Sequence, residues 1–323
     1  MFGVIRLTIG FVLALALSGP AGAQGYPTKT IKIMSGFAPG GPTDIIGRIL
    51  ADHFTKVWGQ PVIVENKPGL GGSLATDVVA KAPPDGYTLL STGVGAVAIN
   101  QNLLANVGYD PKKDLAPISM TVITPMMISV TPSLPVKTFQ EFVAYAKANG
   151  SKMNYATPGT GSSSQLGAEL VKLRFGFESQ HIAYRGVPAQ MESVRSGEAQ
   201  WVIDTPQSSI QLHREGKIRT LVIGSAERWP LFPEIPTFAE SGAPDFTMRT
   251  WFAFAAPAGT PQPIIDKLAK ETAAALNAPE AAQRIKNLGL MPAPKGPADM
   301  ARMMDEDTAV WAKVIKDAHV KAE

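Results

Sequence analysis

Two loops in this chain carry the residue types from which an anion site can be built without a cation. The first is Phe37-Ala38-Pro39-Gly40-Gly41-Pro42-Thr43-Asp44, which follows the β-branched Ile31 and Ile33. It precedes Ile45, Ile46, Ile49, Leu50, Phe54 and Val57 at helical spacing, so it reads as strand end, glycine turn and helix start. Gly40-Gly41 lets the main chain turn sharply and approach a ligand, because no Cβ intervenes. Thr43 or Asp44 can cap the helix, and Asp44 could also face the ligand. The second loop is Thr157-Pro158-Gly159-Thr160-Gly161-Ser162-Ser163-Ser164, set before a helix expected over residues 165–175. A weaker version, Thr92-Gly93-Val94-Gly95, follows a strand expected over residues 87–91. Main-chain N–H groups and hydroxyls at helix starts suit a carboxylate.

Other chemistries find less support. Gly159-Thr160-Gly161-Ser162-Ser163 has Gly where a G-x-S-x-G nucleophile would stand. No phosphate-binding G-x-x-x-x-G-K-[ST] and no dinucleotide fingerprint in the right context occurs. His53, His181, His213 and His319 are scattered without metal-ligand spacing, so neither a metal nor a cofactor is expected. A competing reading makes Ser162 or Ser163 a nucleophile with His181 as base; the alternative is hydroxyl donors at a helix start. Asp204 ends the strand Trp201-Val202-Ile203 at a carboxyl edge, where it is either a cleft group or a solvated turn residue. Trp251 and Phe252 are core or cleft wall, and Arg185 is a carboxylate clamp or a solvent-facing turn residue.

The elements that must position these loops alternate along the chain. Strands are expected at 31–37, 61–65 and 87–91, with helices at 43–58 and 73–81, the pattern of a parallel doubly wound sheet. A long apolar stretch over 115–130, broken by Pro117 and Pro125, suits a crossover near Thr124-Pro125. A second α/β series follows, with strands at 153–156, 181–184, 201–204 and 218–224 and helices at 139–148, 165–175, 189–195 and 208–215. The proline-punctuated stretch 229–237 reads as a second crossover, before a strand at 248–255 and helices at 264–276, 279–288 and 297–320. Two domains with such loops facing each other make a cleft.

The chain of 323 residues suits two domains, and 45% hydrophobic with 18% charged residues suits a globular protein. A net charge of +3, with no basic stripe, argues against nucleic acid. Arg6, the apolar run 7–17, Ser18-Gly19-Pro20 and Ala21-Gly22-Ala23 form a secretory leader expected to be cleaved after Ala23. No cysteine is present, so neither disulfides nor a lipid-modified cysteine contributes, and a soluble periplasmic protein is expected.

The ordered blocks Phe37-Ala38-Pro39-Gly40-Gly41-Pro42-Thr43-Asp44 with Arg48, Val64-Glu65-Asn66-Lys67-Pro68-Gly69 and Ala82-Pro83-Pro84-Asp85-Gly86-Tyr87 resemble one family. So do Tyr155-Ala156-Thr157-Pro158-Gly159-Thr160-Gly161-Ser162, Tyr184-Arg185-Gly186, Pro233-Glu234-Ile235-Pro236-Thr237 and Ala256-Pro257-Ala258-Gly259-Thr260-Pro261. That family is the Bug-type periplasmic receptors of tripartite tricarboxylate transporters. The resemblance implies an α/β Venus-flytrap fold, type II-like, with a central sheet flanked by helices in each of two lobes. Lobe 1 is expected over 24–124 and 227–323, and lobe 2 over 125–226. It further implies a monomeric receptor that hands a di-, tri- or aromatic carboxylate to a membrane permease. Loops 37–44 and 157–163 would grip the carboxylate, Gly93 would lie nearby, and Asp204 would hold the ligand's far end. A carboxylate sensor for a membrane signalling protein is the alternative role.

Overall fold

The computed structural model describes residues 25–321; the leader expected at 1–23 lies outside them. Among the described residues, eleven strands form two sheets. The first sheet contains β1 (Ile31–Ser35), β2 (Val62–Asn66), β3 (Thr88–Gly93) and β4 (Leu115–Pro125). The second contains β5 (Met127–Val130), β6 (Asn154–Thr157), β7 (Gln180–Ala183), β8 (Trp201–Asp204) and β9 (Arg219–Ile223). The chain then returns to the first sheet with β10 (Arg249–Pro257) and β11 (Met291–Lys295). The strand orders are β11-β4-β10-β3-β1-β2 and β7-β6-β8-β5-β9, and each sheet is flanked by helices in a two-lobed α/β fold. No helix among the described residues is long and apolar enough to cross a membrane.

The sheets are mixed, not wholly parallel. β1, β2 and β3 pair in parallel, as do β6, β7 and β8, matching the strand–helix alternation. The strands next to the crossings run antiparallel: β10 with β3 and β4, and β5 with β8 and β9. The first crossing falls at Met126, between β4 and β5. Met126 N–H donates to Met248 O (2.9 Å), Gly224 N–H to Met126 O (2.7 Å), and Met248 N–H to Gly224 O (2.9 Å). These three residues stitch both crossings and the end of β9 into one hinge. A Cβ on Gly224 would stand 2.3 Å from Met248 O, so only glycine fits there.

The second boundary differs from the sequence expectation. Residues 227–248 were expected with the first lobe, yet Phe238, Phe246 and Met248 pack in the core of the second sheet beside Phe139 and Trp201. Phe232 and Ile235 pack with Met127 and Ile223 of that same lobe. The return crossing is therefore at Met248-Arg249, because the apolar side chains of this segment need the second core. The helix expected from 189 begins two residues earlier, at Val187, with Pro188 in its first turn.

Phe238 is fully buried and meets Phe139 and Phe246 edge-on at 5.1 and 4.7 Å between ring centroids. Phe238→Ala is expected to cost about 3–5 kcal/mol, as for other buried aromatic truncations, read by urea titration. A loss below about 1 kcal/mol would place this segment outside the second core.

Candidate functional site

A cavity of about 50 Å³ lies between the lobes. The first lobe contributes Phe37, Pro42, Thr250 and Phe252 to its wall. The second contributes Pro158, Ser162, Ser163, Ser164, Val187, Gln190, Asp204, Thr205 and Ser208. A roomier groove, about 160 Å³, runs along Asp52, His53, Lys56 and Arg284, but it lies on the first lobe alone, away from both loops. An open groove of about 320 Å³ along Gly40, Val187, Arg195 and Gln207 also lies between the lobes, but the smaller cavity is the one that takes in both loops and Asp204.

Its electrostatics come from main chain. Pro42 opens the helix Pro42–Trp58, Ser162 caps Ser163–Phe175, Val187 opens Val187–Ser196, and Thr205 caps Pro206–Arg214. Four helix N-termini from two lobes therefore meet at one cavity. Each presents free N–H groups and a partial positive charge of about one half. No lysine, arginine or histidine lines the wall. Such a site favours an anion while keeping neutral walls.

The first loop is held from behind by Asp44. Its carboxylate accepts from Gly40 N–H (3.0 Å), Arg48 Nε (3.0 Å) and Nη2 (2.8 Å), and Asn66 Nδ2 (3.0 Å). Asn66 Nδ2 also donates to Phe37 O at 2.9 Å. Burial opposes ionisation of Asp44, but the bonds from Arg48, Gly40 and Asn66, with the Arg48 charge, prevail and hold its carboxyl below the ordinary value. Asp44 thus orders the loop and does not line the cavity. Thr43 is likewise committed, its hydroxyl to Ser35 Oγ (2.9 Å) and its carbonyl to Ser91 Oγ (2.7 Å).

In the second loop, Gly161 N–H donates to Gln165 Oε1 (2.7 Å), and Ser162 Oγ accepts from Gln165 N–H (3.4 Å). Gln165 Nε2 lies 3.2 Å from His181 Nδ1, and Thr157 Oγ1 lies 2.7 Å from His181 Nε2. Both imidazole nitrogens are engaged by these partners, and Thr157 stands behind the wall. The lobes touch through apolar side chains, Leu166 of the helix Ser163–Phe175 being buried in a cluster with Trp251, Met300 and Met304 of the first lobe, and through main chain. A Cβ on Gly95 would stand 2.7 Å from Gly161 O, and one on Gly71 2.5 Å from the same oxygen. Ala38 abuts Gly186, and Gly40 O accepts from Gln207 Nε2 at 3.1 Å.

Two polar groups on the wall have no hydrogen-bond partner: both carboxylate oxygens of Asp204, and Thr250 Oγ1. Burial drives the Asp204 carboxyl well above its ordinary value. The hydroxyls of Ser129 and Ser209 oppose this. Each has a second contact as well, Ser129 Oγ with Thr220 Oγ1 at 3.0 Å and Ser209 Oγ with Thr205 O at 3.4 Å.

Of the residues expected at the site, Phe37, Ser162, Ser163 and Asp204 line the cavity. Ala38, Pro39, Gly40 and Gly41 form the loop behind it; Gly159, Thr160 and Gly161 belong to the opposite loop and lobe seam. Gly93 acts at one remove: a Cβ there would meet the Phe252 ring at 3.2 Å, so its absence lets Phe252 reach the wall. Trp251 is core, and Arg185 is exposed and off the wall. Sequence reasoning missed Val187, Gln190, Thr205, Ser208 and Thr250. The signals for two of them were Gly186-Val187-Pro188 and Thr205-Pro206, helix starts with Pro in the first turn.

Residues 46–320 match the family described as Tripartite tricarboxylate transporter family receptor. The chain is 31% identical to Protein BugT of Bordetella pertussis over 312 residues, 96% of each chain. It is similar to the structure of Rpa4515 of R. palustris with adipate (TM-score 0.88, 32% identity, covering 92% of this chain and 99% of that one). A further similar structure is MatC from Rhodopseudomonas palustris with bound malate (TM-score 0.85, 31% identity, covering 90% and 100%).

Removing the charge of Asp44 should loosen the first loop. Asp44→Asn is expected to cost about 1–3 kcal/mol, since it weakens bonds to a charged acceptor. Because the folded carboxyl titrates below the unfolded value of about 3.9, its contribution is complete above that pH and fades as pH falls further. Denaturation midpoints should therefore drop on acidification below about pH 4 more steeply in the wild type than in the variant. Parallel acid profiles would show that Asp44 is not the anchor.

Proposed function

The chain belongs to the tripartite tricarboxylate transporter receptor family, and from that premise we propose that it captures a small organic carboxylate between its lobes and presents it to a membrane permease. The observation that carries this reading is the meeting of four helix N-termini, from both lobes, at a cavity without a cation. Only an anion profits from that field, and only a ligand touching both lobes favours the closed form. Relatives solved with adipate and malate make dicarboxylates the ligand class of choice. The leader at 1–23 suits export to the periplasm. One chain supplies every wall, so a monomer suffices.

Binding without turnover fits the site better than hydrolysis. A serine nucleophile needs a base within hydrogen-bond reach. His181 is engaged by Thr157 and Gln165, and Ser162 Oγ caps a helix.

In a thermal-shift screen, adipate or malate should raise the melting temperature, gaining about 2.7 kcal/mol at a hundredfold excess over Kd. Sugars and amines should not. Gly95→Ala should weaken the same acids by about tenfold or more with native circular dichroism, because the added Cβ meets Gly161 O at 2.7 Å and Gly71 O at 2.9 Å. Undiminished affinity in that variant would show that the glycine seam is not needed for closure.

A further inference from the structure

Asp204 ends β8 with both carboxylate oxygens buried and unpartnered, on a wall that includes no lysine, arginine or histidine. An acid entering this cavity brings a second carboxylate into the same small space. Two carboxylates in contact, away from water and without a cation, do not both stay ionised. The helix N-termini can balance one negative charge well, but their field is fractional and falls off within a turn. We propose that Asp204 carries a proton in the liganded form and donates it as a hydrogen bond to the bound carboxylate, so that the receptor takes up its acid together with a proton. The inference rests on the carboxylate-receptor reading of this cavity and adds a charge rule to it.

No neighbouring charge stands in for that proton. On the helix Val187–Ser196, Glu192 and Arg195 pair with each other at the surface. On Ser163–Phe175, Glu169 pairs with Lys172 and accepts from Tyr155 Oη of β6. On Pro206–Arg214, His213 Nδ1 accepts from Thr220 N–H, and Arg214 donates to Leu231 O. His181 of β7 faces Thr157 and Gln165. Across the cavity, Asp44 and Arg48 bind each other, and Arg249 lies by Asp307.

The direction of the pH effect follows. In the closed form burial raises the Asp204 carboxyl well above its ordinary value, whereas opening admits water and lowers it. Closing on the ligand therefore draws a proton from solvent, and the gain is lost as pH rises through the raised value.

The test is calorimetric titration of adipate and malate into wild type and Asp204→Asn, between about pH 6 and about pH 9, in buffers of differing ionisation enthalpy. Wild-type affinity should fall with rising pH by up to about tenfold per unit, with uptake of up to one proton per ligand. Asp204→Asn, neutral and still a donor, should bind within about threefold of the low-pH wild type, with a flat profile and no proton uptake attributable to this site. A flat wild-type profile without proton exchange would overturn the inference and leave the receptor reading intact. So would a folded Asp204→Asn that no longer binds, since Asp204 would then act as an anion toward a ligand donor. If the variant does not fold, proton uptake by the wild type decides alone. Binding of neither acid at any pH would instead overturn the receptor reading.

Discussion

In an α/β lobe, the helix after a parallel strand begins at that strand's carboxyl end, and this constraint governs the molecule. β1, β6, β7 and β8 all end toward the seam between the lobes, and the helices following them start there. Their orphan N–H groups are thus gathered by topology before any side chain is chosen. The surrounding side chains mostly keep that arrangement in place. Asp44, Asn66 and Arg48 fix the first loop, and Gln165 with His181 fixes the second. The anion-binding field is a property of the fold, and the walls are free to be apolar or hydroxylic.

The loops 37–44 and 157–164 were legible in the sequence as turns feeding helices because their chemistry is local. Glycine pairs, hydroxyl runs and helical apolar spacing announce a turn feeding a helix. Gln190 and Thr250 were not assigned to the cavity, and Phe252 was left between core and cleft wall, since their place there depends on how one lobe apposes the other. Asp44 was legible as a cap-position acid, but Asn66, its partner on β2, is supplied by strand register. The lobe boundary was misplaced for a related reason. Prolines at 230, 233 and 236 mark a break in regular structure, whereas Phe232, Phe238 and Phe246 decide which core the segment joins. The strand Met291–Lys295 escaped notice because Pro292 and Pro294 argue against a strand; at the sheet edge, where it lies, proline is tolerated.

The two crossings lie side by side, and their shared bonds through Met126, Gly224 and Met248 tie both lobes to one short axis. Rotation about such an axis would change the distance between loops 37–44 and 157–164 and leave each sheet intact. The cavity is walled from both lobes, so the apposition that brings the helix ends together also encloses the space between them. Burial of Asp204 and the strength of the dipole field are for this reason coupled properties of closure.

Beside the cavity the seam is lined by glycines, Gly71 and Gly95 against Gly161 and Gly186 against Ala38, while Leu166 packs across it farther back. Contacts between main chains are indifferent to the side chains that line the cavity beside them. Val187, Gln190, Thr250 and Phe252 line the cavity and take no part in those glycine contacts, so a change at one of them alters the wall and leaves the glycines in place. In a duplicated gene, the lining of the cavity and the glycine contacts beside it are thus free to change separately.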